Sequence, residues 1–249
     1  METERPPAHG VHLYAVPDAW IDAVLGFVES GLGEGESVVL TTTAAHWSRL
    51  ADGLKSCGRD PEVLQRNGRL FVYDAEESLA KVTRGSRLDE ESYLAVARER
   101  LSTAFRAAPR VRWWGEIVNL LHEAGRRSDA VRIEELLEDI TNDARLSVLC
   151  SYRLDPLEPH AYEGMLQDLC RTHDAVACCD NAAVRGAVDR AVSAVLGPSN
   201  GDLLRAMADV KGWAKVPAAQ GVLLAVRKAA PGAFDEILAR VRKEAADRG

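Results

Sequence analysis

A largely parallel α/β sheet of about five strands, flanked by helices and followed by an all-helical C-terminal region, is the fold class this sequence predicts. Three observations carry that expectation. Short β-branched or apolar runs alternate with helical patterns as far as Tyr152, the signature of a parallel sheet covered on both faces. Beyond Tyr152 only helical periodicity recurs. Hydrophobic residues form 47% of the 249-residue chain, enough for the core of one large domain with a helical appendage.

Val11 to Ala15 is the first strand, and Pro17-Asp18 opens a helix with Asp18 placed to cap its free N–H groups. Trp20, Ile21, Val24, Leu25, Phe27 and Val28 give that helix a broad apolar face, and Gly31 or Gly33 ends it. Ser37 to Thr43 is a buried strand, and Thr43 or a neighbour caps a helix that stops near Gly58. Asp60-Pro61 starts a short helix ending at Gly68, and Arg69 to Tyr73 is the third strand. Asp74, with Glu77 three residues on, resembles a capping box. A loop from Thr83 to Leu88 precedes a long helix from Asp89 through Phe105. Val111 to Glu116 and Ser147 to Tyr152 are strands four and five, with two helices between them. His160–Val176, Asn181–Leu196, Asp202–Lys211, Pro217–Lys228 and Phe234–Ala246 read as helices, and Gly197 to Gly201 reads as a linker.

A net charge of −7 and a pI near 5.5 argue against a nucleic-acid surface, which needs a basic field to displace counterions. No apolar run reaches the roughly 18 residues of a membrane span. The polar start Met-Glu-Thr-Glu-Arg-Pro-Pro has no signal-peptide core, so a cytoplasmic protein is expected. The five cysteines form no regular framework, as suits reduced thiols. Cys170, His173, Cys178 and Cys179 crowd together, but vicinal cysteines rarely supply two zinc ligands; buried thiols, and no metal or cofactor, are the expectation.

In a sheet of this kind ligands gather at the carboxyl ends of the strands. A nucleotide enzyme would place G-x-x-x-x-G-K-[ST] after the first strand. The chain has Tyr14-Ala-Val-Pro-Asp-Ala-Trp-Ile-Asp22 instead, with no glycine to wrap a phosphate, no lysine, and two carboxylates where an anion would sit. Asp74 could hold magnesium, but a helix cap explains it without a metal. There is no G-x-S-x-G elbow and no H-E-x-x-H pair, so no enzyme activity and no catalytic residue is expected. His46, His122 and His160 read as surface or half-buried residues. His12 and Tyr14 share a strand face. Glu116 either caps the next helix or receives a ligand or partner group.

His12-Leu-Tyr14, Gly31-Leu-Gly-Glu-Gly-Glu36, Val111-Arg-Trp-Trp-Gly-Glu116, Ile133-Glu-Glu-Leu136, Leu149-Cys-Ser-Tyr152 and Cys170-Arg-Thr-His173 occur in one order. That ordered set resembles the MEDS domains, sensory domains first described in methanogen and methylotroph regulators. The resemblance covers residues 9–176, leaving 177–249 as a helical C-terminal region. It implies a RecA/KaiC-like fold with a degenerate ATPase loop and a signal-input role for small molecules, often hydrocarbon derivatives. Neither a histidine-kinase core nor a basic helix-turn-helix is found, and the helix pair around Gly212 to Val216 carries few cations.

The expected function is therefore a non-enzymatic sensor or signalling adaptor. Its small ligand or protein partner would bind at a rim of His12, Tyr14, Arg112, Glu116, Cys150 and Tyr152. A protein signalling partner is expected, without nucleic acid or membrane, and fold analogy allows a homo-oligomer. The competing readings are a nucleotide-binding protein lacking the standard loop, or a component of a transcriptional regulator.

Overall fold

The computed structural model describes residues 7–178, 182–210 and 215–247. The chain divides into two compact units, Met1–His12 with Val16–Arg153, and Leu13–Ala15 with Leu154–Gly249. A six-stranded sheet has the order β3-β2-β6-β7-β1-β8. Its strands are β1 (His9–Tyr14), β2 (Ser37–Thr42), β3 (Leu70–Asp74), β6 (Val111–Gly115), β7 (Leu146–Arg153) and β8 (Ala175–Ala177), while β4 (Thr83–Arg84) and β5 (Arg87–Leu88) form a separate hairpin. β2 pairs with β3 and β6, and β6 with β7, all in parallel.

In the first unit the helices are α1 (Ile21–Gly33), α2 (Ala44–Ser56), α3 (Pro61–Arg66), α4 (Ala75–Lys81), α5 (Glu90–Ala107), α6 (Ile117–Glu123) and α7 (Arg127–Thr141). Every residue of β2 is buried, as a central strand covered on both faces requires. Three expected caps form: Thr43 accepts from the His46 N–H at 3.3 Å, Asp60 from Glu62 and Val63, and Asp74 from Glu77 at 2.8 Å. A fourth, Asp89, accepts from Ser92 at the start of α5.

Asp18 does not cap α1. That helix begins at Ile21 with Trp20 as its N-cap residue and no side-chain cap. Asp18 pairs instead with Arg49 of α2, whose hydrogen bond holds its carboxyl below the usual range. The expected Thr83–Leu88 loop is a tight antiparallel hairpin turning through Gly85, whose φ of +64° suits glycine.

Gly31 lies inside α1 rather than at its end, facing the buried Arg112 side chain. A Cβ there would come within 2.6 Å of Arg112 Cδ. Arg112 is held at several points and cannot swing aside, so Gly31→Ala should destabilise the unit by about 1–3 kcal/mol through overpacking. Urea denaturation would show this as a lower midpoint; an unchanged midpoint would mean that Arg112 has room to move.

The second unit holds a 3-10 turn (Pro159–Tyr162), then α8 (Met165–Thr172), α9 (Ala182–Leu196), α10 (Pro198–Val210), α11 (Ala218–Ala229) and α12 (Pro231–Ala246). The helix expected over His160–Val176 is thus shorter, and β8 follows it, a strand where none was expected. The linker expected over Gly197–Gly201 is mostly the first turn of α10, since Pro198 takes the helix-start position that suits its missing N–H. Tyr162 meets Phe234 edge-on at 5.0 Å. Val222, Leu223, Val226, Ile237, Leu238 and Val241 are buried. Most of the turn considered for DNA binding lies outside the described residues. No helix of the described residues is long and apolar enough to cross a membrane.

Candidate functional site

Strand register sets up the site. Thr41 of β2 stands opposite Gly115 of β6, and Gly115 stands opposite Cys150 of β7. In a parallel sheet such neighbours point to one face and form a row. The middle member of this row has no side chain, so a hollow opens between Thr41 and Cys150. Trp113 and Val148, one step back on the same face, form its floor; Tyr93 of α5, Ile117 and Val118 of α6, and Ile133 and Leu137 of α7 close it. The cavity measures about 20 Å³, somewhat above the roughly 10–15 Å³ that admits one water. A Cβ at Gly115 would touch only Trp113 Nε1 at 3.7 Å and Thr41 Cβ at 4.0 Å, so an alanine fits there without strain.

The polar wall of this cavity is specific. Thr41 Oγ1 accepts from Trp113 Nε1 at 3.2 Å and from Arg100 Nη1 at 3.3 Å. A hydroxyl has two acceptor lone pairs and one donor proton; with both lone pairs engaged, the proton is what it has left to offer. Arg100 is buried on α5, donates also to Ser78 Oγ at 2.7 Å, and lies over the Tyr73 ring at 4.1 Å. These contacts are all with neutral groups, and burial pulls its pKa below the guanidinium norm.

Beside the cavity, Glu134 of α7 is buried against the ends of β1 and β7. Tyr152 donates to its Oε1 at 2.7 Å, and Cys150 Sγ donates to Oε2 at 3.2 Å. His9 Nε2 lies 3.2 Å from the same Oε2 and 3.6 Å from Cys150 Sγ. Burial, then the charge of Glu134, pushes the Cys150 thiol and the Tyr152 phenol well above their ordinary ranges. Tyr93 rises for the same first reason, with Cys150 and Glu134 adding to it.

Glu116 forms a different centre on the opposite face. It does not cap α6 with its side chain. Its carboxylate accepts from Thr42 Oγ1 at 2.7 Å and from the Thr43 N–H at 3.0 Å, and contacts His46 Nδ1. The neighbouring β2–α2 junction thus supplies its partners. Trp20 packs on His46 and stacks on Trp114, with the two indole centroids 5.4 Å apart.

The six residues expected to share a rim are therefore distributed. Cys150 lines the cavity and Tyr152 reaches it through Glu134. Glu116 belongs to the His46 centre. Arg112, second residue of β6, lies at the amino end of the strand and pairs with Glu36 at 2.6 Å and Glu34 at 3.2 Å, not with Glu116. His12 is half-buried in β1, and burial lowers its pKa. Tyr14 is buried at the end of β1 and groups with the second unit. In that unit Cys170 and His173 are buried, Cys178 is half-exposed, and Cys179 lies outside the described residues. Burial pushes the Cys170 thiol up to about 11.

Residue-by-residue reading of the sequence missed Thr41, Arg100, His9 and Glu134 as site residues. For Arg100 and Glu134 the signal was present: each puts a charge into an apolar helical stripe, Tyr93-Ala97-Leu101-Ala104 and Ala130-Ile133-Leu137 respectively.

The first unit is thus a parallel α/β domain whose first strand-to-helix turn has no phosphate loop and whose sheet face encloses a small, mostly apolar cavity. Residues 8–174 match the family model MEDS, the methanogen/methylotroph, DcmR sensory domain, and the chain belongs to that family. No match is found among curated proteins.

Proposed function

We propose that this MEDS sensory domain detects a small molecule with an apolar body and one hydrogen-bond acceptor, held without chemical transformation in the Gly115 cavity, which widens from its one-water size as the molecule enters. The observation that carries this reading is the Thr41 hydroxyl, which lines an apolar cavity with both lone pairs engaged and a proton to donate. A buried donor left unmatched costs free energy, so a carbonyl, hydroxyl or ether oxygen is the complementary group. Small oxygenated hydrocarbons meet both demands. The absence of a phosphate loop weighs against the competing nucleotide reading, and the family match supports a signalling role. Ligand binding would pass its state to a protein partner, directly or through the C-terminal helices.

Two substitutions test this. Titration calorimetry with two- to four-carbon ketones, aldehydes and alcohols should show saturable binding to the parent chain. Thr41→Val should weaken it about 3- to 10-fold, the value of one buried hydrogen bond, and should also lower the melting temperature, because Trp113 Nε1 and the buried Arg100 lose their acceptor. Gly115→Ala should abolish it while leaving the melting temperature unchanged or slightly raised. Binding that survives Gly115→Ala unchanged would place the ligand elsewhere. A melting shift with ATP or ADP, and none with the small oxygenated molecules, would favour the nucleotide reading.

A further inference from the structure

We infer that His9, Glu134 and Cys150 form a binding site for a divalent transition metal of borderline softness, zinc foremost. Three chemically distinct ligand atoms converge: His9 Nε2, Glu134 Oε2 and Cys150 Sγ stand 3.2, 3.2 and 3.6 Å apart pairwise. Zinc takes nitrogen, oxygen and sulfur ligands at roughly 2.0–2.3 Å, and tetrahedral angles then put neighbouring ligand atoms roughly 3.3–3.6 Å apart. The observed triangle needs only a few tenths of an ångström of adjustment to surround such an ion. An imidazole, a thiolate and a carboxylate together suit zinc or a neighbour such as cobalt, rather than calcium or magnesium, which prefer oxygen alone.

The surroundings fit a metal as well. All three residues are buried, which shields the ion from competing water. Glu134 presents one oxygen to His9 and Cys150, while its other oxygen accepts a hydrogen bond from the Tyr152 hydroxyl at 2.7 Å. That is the arrangement in which an outer hydrogen bond fixes a ligating carboxylate. On binding, the Cys150 thiol loses its proton to solvent and its sulfur gives a lone pair to the metal; nothing is oxidised or reduced. The ion would join β1, α7 and β7 in the wall that Cys150 shares with the cavity. This inference does not depend on the identity of the cavity ligand.

The test uses the full-length chain, stripped with a chelator and titrated with Co²⁺. Thiolate-to-cobalt charge transfer in the near ultraviolet and visible ligand-field bands should appear at one equivalent, and Zn²⁺ should displace both. Cys150→Ser should lose the charge-transfer band. Tyr152→Phe should keep the band but weaken affinity about 10- to 100-fold. No cobalt band in the folded parent chain would overturn the assignment. A band that persists in Cys150→Ser would overturn it too, because another cysteine would then be the ligand. Should Cys150→Ser fail to fold, His9→Gln decides the matter through affinity: a loss of at least tenfold supports the site, and no change overturns it.

Discussion

Glu36→Ala should destabilise the first unit by about 3–5 kcal/mol, the usual cost of stranding one partner of a buried ion pair. Arg112 lies at the amino end of β6 with its side chain only 2% exposed. Its Nε donates to Glu36 Oε2 at 2.6 Å, its Nη1 to the Phe27 carbonyl at 3.0 Å, and its Nη2 lies 3.2 Å from Glu34. Arg110 meets the other Glu36 oxygen at 2.9 Å. Alanine at 36 would leave a buried guanidinium leaning on a partly exposed Glu34 and one carbonyl. Desolvation dominates here, so replacing both partners, Glu36→Leu with Arg112→Met, should cost much less than the single change. Urea unfolding with an unchanged m-value measures both. A loss below about 1 kcal/mol for Glu36→Ala, the range of a solvent-screened pair, would mean that water reaches Arg112.

Trp114→Ala should cost about 3–5 kcal/mol, the range for emptying a large aromatic site. Trp114 is fully buried. One ring face stacks on Trp20 with planes 7° apart, and its Nε1 donates to Ser151 Oγ at 2.9 Å. Truncation therefore removes packing area, leaves the Ser151 hydroxyl without that donor, and loosens the support beneath His46 and Glu116. Trp114→Phe should recover most of the loss, because it restores the packing but not the hydrogen bond. The same denaturation series reads both variants. Equal losses for alanine and phenylalanine would show that the indole N–H, not the ring's bulk, carries the stability.

Long periodic segments were legible in the sequence for a plain reason: burial on one or both faces leaves a pattern. β2 and β6 are covered on both sides and read as apolar runs, and the N-terminal caps at Thr43, Asp60, Asp74 and Asp89 are local chemistry. β8 was not legible because three residues, Ala-Val-Ala, cannot establish a period, and neighbours in space rather than in sequence make them a strand. The site was partly legible. Cys150 and Tyr152 could be placed because strand ends are predictable. Thr41 could not, since its importance comes from standing in register with Gly115, and register between strands distant in sequence is a tertiary fact. Read from sequence, Arg112 falls on the rim with the Val111–Glu116 motif; its carboxylate partners, Glu34 and Glu36, come from the turn between α1 and β2 and hold it at the other end of the strand. The ordered motifs told more than their residues did individually, for Ile133-Glu-Glu-Leu136 contains the Glu134 that binds Cys150 and Tyr152.

The Trp113 indole is a natural reporter inside the cavity wall, and it gives the most direct check on a ligand held there. Its N–H donates to Thr41, and its cross-peak can be assigned among the five tryptophans by a Trp113→Phe variant. Titrating the ¹⁵N-labelled chain with a small ketone should move the Trp113 indole cross-peak saturably in the parent and leave it still in Gly115→Ala. A saturable titration that shifts other resonances while the Trp113 indole stays fixed would contradict a ligand in this cavity.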